Sequence, residues 1–146
     1  MTKVRVACEI AASESRVFEV VSDIDGLPQG DPDVLRVEYL GERHAGVGTR
    51  FRDVRLVRGK ELHSDLTVTE LEEPTSIRMV SDTHGTVWDT RYEVRAGENG
   101  STLTVTMEAT PHAALPKVLN PLMRGMFRKG IAKHAQAVKA YCEGRG

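Results

Sequence analysis

The chain has 146 residues, of which 40% are hydrophobic and 28% charged, and its net charge is −1. One domain of that length buries about 70% of its unfolded surface without staples. Its near-neutral balance provides no global field to draw nucleic acid or a membrane.

No apolar run approaches the ~20 residues of a membrane span. The opening M-T-K-V-R-V alternates at once and shows no apolar export signal, so a cytoplasmic protein is expected. Cys8 and Cys142 lie at opposite ends with no C-x-x-C spacing and read as two free thiols in a reducing compartment. The first element is a strand, with Val4, Val6, Cys8 and Ile10 on one face and Lys3, Arg5 and Glu9 on the other. Ser13 then caps a short helix carrying Val17, Phe18, Val20 and Val21. The stretch D-I-D-G-L-P-Q-G-D-P at 23–32 stops that helix and bends the chain.

From Asp33 to Thr110 the signals are those of six strands: D-V-L-R-V-E-Y-L-G-E, G-T-R-F-R-D-V-R-L-V-R, E-L-H-S-D-L-T-V-T-E-L, S-I-R-M-V-S-D, T-V-W-D-T-R-Y-E-V and S-T-L-T-V-T-M-E-A. Gly- and Asn-containing turns separate them, which predicts consecutive antiparallel hairpins. Asn120-Pro121 then reads as a cap and first helical position. Met123, Phe127, Ile131, His134, Val138 and Tyr141 follow at spacings of three and four, one stripe of a helix of roughly twenty residues. Leu115 to Leu119 is expected to form a separate short turn. Strands together and helices apart give an α+β class. A seven-stranded antiparallel sheet with one long helix to cover it must curl around that helix.

This order, with I-x-A-S-x-x-x-V-F-x-V-V-S-D at 10–23, V-G-T-R-F-R at 47–52 and T-V-T-E-L-E-E-P at 67–74, resembles the START-like, or SRPBCC, superfamily. Within it, the chain is most similar to the polyketide cyclase/dehydrase and lipid-transport group. The resemblance covers nearly the whole chain. It implies a helix-grip fold, a single ligand-binding domain over 1–146, and a hydrophobic pocket between the sheet and the C-terminal helix. It further implies a hydrophobic or amphipathic small-molecule partner (lipid, polyketide or quinone-like). No cofactor is expected. Family members often carry a large aromatic in an L-P-x-W-x-P bend, where this chain has Gly30 in L-P-Q-G-D-P. Gly26, Leu27, Pro28 and Gly30 are therefore expected to shape a wide cavity entrance.

Several residues are candidates for the pocket. If Phe51 points inward, as the resemblance implies, Asp53 and Arg55 share its parity and enter the cavity as a pair that orients or polarises a ligand carbonyl. With the opposite register Val54 and Leu56 face in and the charges are solvated. On the next strand either Leu62, Leu66 and Val68 or the His63–Asp65 face turns inward. Trp88, Thr90 and Tyr92 alternate on one strand as wall candidates. On the last helix, Met123, Phe127, Gly130 and His134 are the ligand-facing candidates.

Three functions follow from these residues. The first is binding or transport of a hydrophobic small molecule. The second is a cyclase or dehydratase using Arg55 and Asp53. The third is docking to a membrane or protein through a basic helix. From His112 onward there are seven Lys or Arg against one Glu, with Lys117, Arg124, Arg128 and Lys139 near one helical face, which offers weak contact to an anionic membrane. The five histidines are dispersed, so no metal is expected. Few aromatics argue against a nucleic-acid platform. A monomer or homodimer is expected.

Overall fold

The computed structural model describes residues 1–145. Seven strands form one antiparallel sheet: β1 (Thr2–Ile10), β2 (Val34–Tyr39), β3 (Arg50–Val57), β4 (Lys60–Glu72), β5 (Ser76–Thr83), β6 (Thr86–Gly97) and β7 (Gly100–Pro111). Their order is β1-β7-β6-β5-β4-β3-β2, a continuous meander with the first strand closing beside the last. Alternation is the reason these segments are strands. Val4, Val6 and Cys8 on β1 stand opposite Met107, Val105 and Leu103 on β7, all on the concave face. Thr104 and Thr106 occupy the convex face, where Arg52–Asp65 and Arg78–Asp89 ion pairs also lie.

Between β1 and β2 run α1 (Glu14–Ser22) and the short α2 (Leu27–Gly30). The Ser13 hydroxyl accepts a hydrogen bond from the Arg16 amide at 3.1 Å and so caps α1. Val17, Phe18 and Val21 bury one face of α1 in the core with Leu103 and Val105 of β7.

The C-terminal region departs from the sequence expectation. Instead of a turn followed by one helix, it forms α3 (Ala114–Leu122) and α4 (Arg124–Ala140), joined at Met123 and extended by a π-helical turn, Tyr141–Arg145. Pro121 ends a helix rather than starting one. It lacks the N–H that would bond the Lys117 carbonyl, and the last turn closes with the Met123 amide shared between the Leu119 and Asn120 carbonyls. Asn120 is no cap: it is buried and donates from Nδ2 to Thr86 Oγ1 at 3.1 Å.

The long α4 lies along the concave face with Ala135 and Val138 buried in the core. Its basic side chains serve the exposed edge of β1. Arg124 Nε donates to the Lys3 carbonyl at 3.1 Å, Arg128 Nη1 to the Arg5 carbonyl at 2.9 Å, and Lys139 Nζ to the Glu9 carbonyl at 2.8 Å. Three edge acceptors are thereby satisfied and the edge is closed to strand addition. The helix grips the sheet by its cations on one side and by its apolar stripe on the other.

Candidate functional site

The concave face and α4 do not meet everywhere. Between them lies a cavity of ≈ 430 Å³. Its wall is largely apolar and includes Phe51, Leu66, Met79, Trp88, Met107 and Phe127. Leu56, Val57 and Met126 line it while remaining 47%, 42% and 48% exposed, and so mark its mouth.

Most of the residues singled out in the sequence line this space: Phe51, Asp53, Arg55, Trp88, Thr90, Tyr92, Phe127, Gly130 and His134. Trp88 stands edge-on to Phe127 with ring centroids 5.1 Å apart. Its indole N–H is spent on the Thr83 carbonyl at 3.2 Å, so only its ring faces a ligand. A Cβ built at Gly130 would meet nothing within 4 Å, so the missing side chain leaves open space.

Two expectations do not match this geometry. Met123 is absent from the wall because α3 ends at Leu122, making Met123 the joint between helices; Met126 lines the cavity instead. Of the bend residues expected at the entrance, Leu27 lines the cavity and Gly26, Pro28 and Gly30 do not. The bend winds into α2, which turns Leu27 and Asp31, four residues apart, toward the cavity. The nearest atom to a Cβ at Gly30 is Val20 Cγ1 of α1, at 3.9 Å.

The inward register of β3 is the one with Phe51, Asp53 and Arg55 on the cavity side, while Val54, of opposite parity, is also buried. On β4, Ser64 and Leu66 face in, and Asp65 pairs with Arg52 on the convex side at 2.6 Å. The β4 irregularity falls between Val68 and Glu70, beyond the His63–Asp65 pair, and does not turn that pair inward.

Asp31 organises the charges. Its Oδ2 accepts from His134 Nδ1 at 2.7 Å and from Arg55 Nη1 at 3.2 Å, and its Oδ1 accepts from the Asp33 amide at 3.0 Å. Arg55 Nε donates to Asp53 Oδ2, also at 3.2 Å. Asp31, Asp53 and His134 are all buried. Burial alone would raise the Asp31 carboxyl, but the hydrogen bonds from His134 and the Asp33 amide, with the charges of His134 and Arg55, hold it well below the usual carboxylate range. Asp53 goes the other way: burial pushes it up, only partly opposed by Arg55, and its Oδ1 is buried with no hydrogen-bond partner. The Tyr92 phenol is pushed up to about 12, chiefly by burial, and is a neutral donor at physiological pH.

This arrangement leaves defined groups for a ligand. An ionised Asp31 holds a proton on His134 Nδ1, and Nε2 is the ring nitrogen that it does not engage. Among the described residues Nε2 has no hydrogen-bond partner, nor has Arg55 Nη2 or the Tyr92 hydroxyl. The cluster can therefore receive an oxygen function and accept a proton. Asp31 escaped the sequence reading because an acid between Gly30 and Pro32 looks like a turn residue. The same tract also hid Asp33, whose ion pair with Lys133 at 2.7 Å ties β2 to α4 beside the mouth. Among the described residues, no cluster of three or more His, Cys, Asp or Glu is arranged to hold a metal.

A family described as polyketide cyclase / dehydrase and lipid transport matches residues 1–143. The chain belongs to this family. No curated protein sequence is similar enough to count as a match. Among solved structures, a START superfamily protein from Mycobacterium smegmatis superposes with a TM-score of 0.81 at 18% identity, with 97% of each chain covered. The di-domain ARO/CYC StfQ from the steffimycin biosynthetic pathway gives 0.82 at 16%, over 99% of this chain and 52% of that one. Norcoclaurine synthase from Thalictrum flavum, in complex with dopamine and hydroxybenzaldehyde, gives 0.70 at 18%, over 94% and 83%. At these identities the likeness shows the fold, a START-like helix grip. Membership in the polyketide cyclase and lipid-transport family supports hydrophobic-ligand binding or a cyclase-type role. No helix among the described residues is long and apolar enough to cross a membrane.

Proposed function

We propose that the chain binds an amphipathic small molecule, its apolar body against Phe51, Met79, Trp88 and Phe127 and its oxygen function at Arg55, Tyr92 and His134. The carrying observation is the Asp31–Arg55–Asp53–His134 cluster set into an otherwise apolar wall. Desolvating charges is costly, and a receptacle for pure hydrocarbon gains nothing from them. A ligand with a carbonyl or phenol makes use of the open Arg55 and Tyr92 donors.

The Asp31–His134 pair favours a second, catalytic reading of the same site. With a ligand carbonyl held by Arg55, His134 Nε2 removes a proton from the adjacent carbon and the electron pair moves onto the carbonyl oxygen as an enolate. Arg55 and the Tyr92 hydroxyl stabilise that oxygen. Attack of the enolate carbon on a second carbonyl of the same ligand closes a ring, and His134 returns the proton to the new alkoxide. Asp53 and Arg55 then act as a pair, with Asp53 orienting the guanidinium.

Two probes of one shape test the binding reading. Calorimetry should show 2-naphthol binding about tenfold more tightly than naphthalene, the effect of one well-placed hydrogen bond to a charged group. Arg55→Gln should erase that preference and leave naphthalene binding unchanged. Equal affinity of the two probes for the unaltered protein would refute the assignment of the polar end.

A further inference from the structure

The most unusual surface of the molecule is α3, an amphipathic helix mounted with its apolar side outward. Leu115, Val118, Leu119 and Leu122 recur at i, i+3, i+4 and i+7, the spacing of a core-facing stripe. Yet they are 67%, 65%, 39% and 79% exposed. The side turned inward is Pro116 and Asn120: Asn120 bonds Thr86, Pro116 and Ala113 lie against Gly85, and the His112 and Ala113 amides bond the Gly85 carbonyl just before the helix. Met126 continues the outward apolar surface onto α4 and also lines the cavity mouth.

The opposite lip of the mouth has the same character. Leu56 and Val57 line the cavity and are exposed, and the β3–β4 turn after them carries Arg58 and Lys60, with exposed Leu62 beyond. Cations predominate around these apolar groups. From residue 109 to 142 there are six Lys or Arg and no acid. Lys117 and Lys129 are exposed with no ion pair among the described residues, and so are Arg58 and Lys60. Arg124 and Arg128 each bond a β1 carbonyl, and among the described residues no carboxylate pairs with them. The nearby acids each have a partner, Asp33 with Lys133, Glu61 with Arg36 and His63, and Asp82 with His112 just before α3.

We propose that α3, the α3–α4 joint and the β3–β4 turn form a docking face for an anionic lipid surface, with the cavity mouth opening onto it. Apolar side chains that enter the acyl boundary, surrounded by cations that meet the headgroups, are what interfacial binding requires. Charge argues against a second copy of this chain as the occupant, because a face-to-face pair would bring its uncompensated cations together. The chain needs no ligand for this docking, so the proposal stands apart from what the cavity holds.

Vesicle flotation of the full chain tests it. The protein should bind vesicles of mixed phosphatidylglycerol and phosphatidylcholine and lose about tenfold in partition at high salt. Leu115→Glu with Leu122→Glu should lower partition on the order of 100-fold, with far-UV circular dichroism unchanged because both side chains are exposed. Leu122→Gln alone provides a milder variant should the pair perturb folding, with a smaller loss expected. No binding to the anionic vesicles, or binding indifferent to these substitutions, overturns the proposal. So does a concentration-dependent dimer in sedimentation that Leu122→Gln abolishes, since a second copy would then be the occupant.

Discussion

Asp31→Ala should lower the unfolding free energy by roughly 3–5 kcal/mol at neutral pH, the usual cost of removing one partner from a buried charge cluster. The side chain is 4% exposed, so solvent screening does little to reduce the effect. Its loss leaves His134 Nδ1 and the Asp33 amide without their acceptor and Arg55 with Asp53 alone. The penalty should depend on pH in a defined direction. The folded Asp31 carboxyl titrates below its unfolded value of about 3.9, so its contribution is complete above that value. It declines as pH falls below about 4, because the unfolded chain then binds the proton first.

Asp53 is the opposite case. Its folded carboxyl titrates above the unfolded value, so its contribution is greatest at acid pH and is lost as pH rises through the folded value. Asp53→Asn should therefore cost much less than Asp31→Ala, and its cost should shrink as pH rises. Urea unfolding of both variants between pH 3 and pH 7 measures these differences. A gap between Asp31→Ala and the unaltered protein that stays constant across that range would contradict the assignment of Asp31 as the ionised centre.

Gly100→Ala should lower the melting temperature by about 6–12 °C, from roughly 3 kcal/mol of strain and overpacking in a chain of this length. Gly100 opens β7 with φ at 144°, and a Cβ there would run into the Ile10 carbonyl oxygen and crowd Ala11 Cα. Both obstacles are backbone, at the point where β1 leaves the sheet for α1, and no rotamer change relieves them. Gly59→Ala is the matched control. Gly59 also has a positive φ, 79°, but nothing lies within 4 Å of its Cβ position. Its cost should be the left-handed penalty alone, about 1 kcal/mol. Equal shifts for the two alanines in differential scanning calorimetry would show that the close approach of β1 to Gly100 is unimportant.

The strands were legible because their information is local. Period-two alternation broken by Arg58-Gly59, His84-Gly85 and Gly97–Gly100 is enough to place six consecutive hairpin strands. Asn120-Pro121 was misread because that pair can precede a helix or close one. The choice is made by Thr86, a hydrogen-bond partner 34 positions away in sequence. The inward register of β3 was undecided for a related reason. Charged residues are inward candidates only when something distant neutralises them, and here Arg55 is met by Asp31 at a separation of 24 residues, with His134 103 residues from Asp31. The basic residues of α4 looked like one free face, whereas Arg124, Arg128 and Lys139 reach the carbonyls of β1. An unpaired strand edge has no signature in a single sequence. Alternation therefore settled the architecture, while the charged part of the site depended on pairings between segments that no local pattern announces.

A hollow of ≈ 430 Å³ in the middle of a fold also has a thermal consequence. Side chains facing it forgo the dispersion contacts that packed neighbours would supply, so the empty protein melts below the temperature its fold could sustain. Any molecule that fills the space and not the unfolded chain restores part of that deficit. At a hundredfold excess over its dissociation constant it adds about 2.7 kcal/mol, or about 5–11 °C for a chain of this size. The protein is thus its own assay: a library of amphipathic compounds can be ranked by how far each one delays melting, before any activity is known.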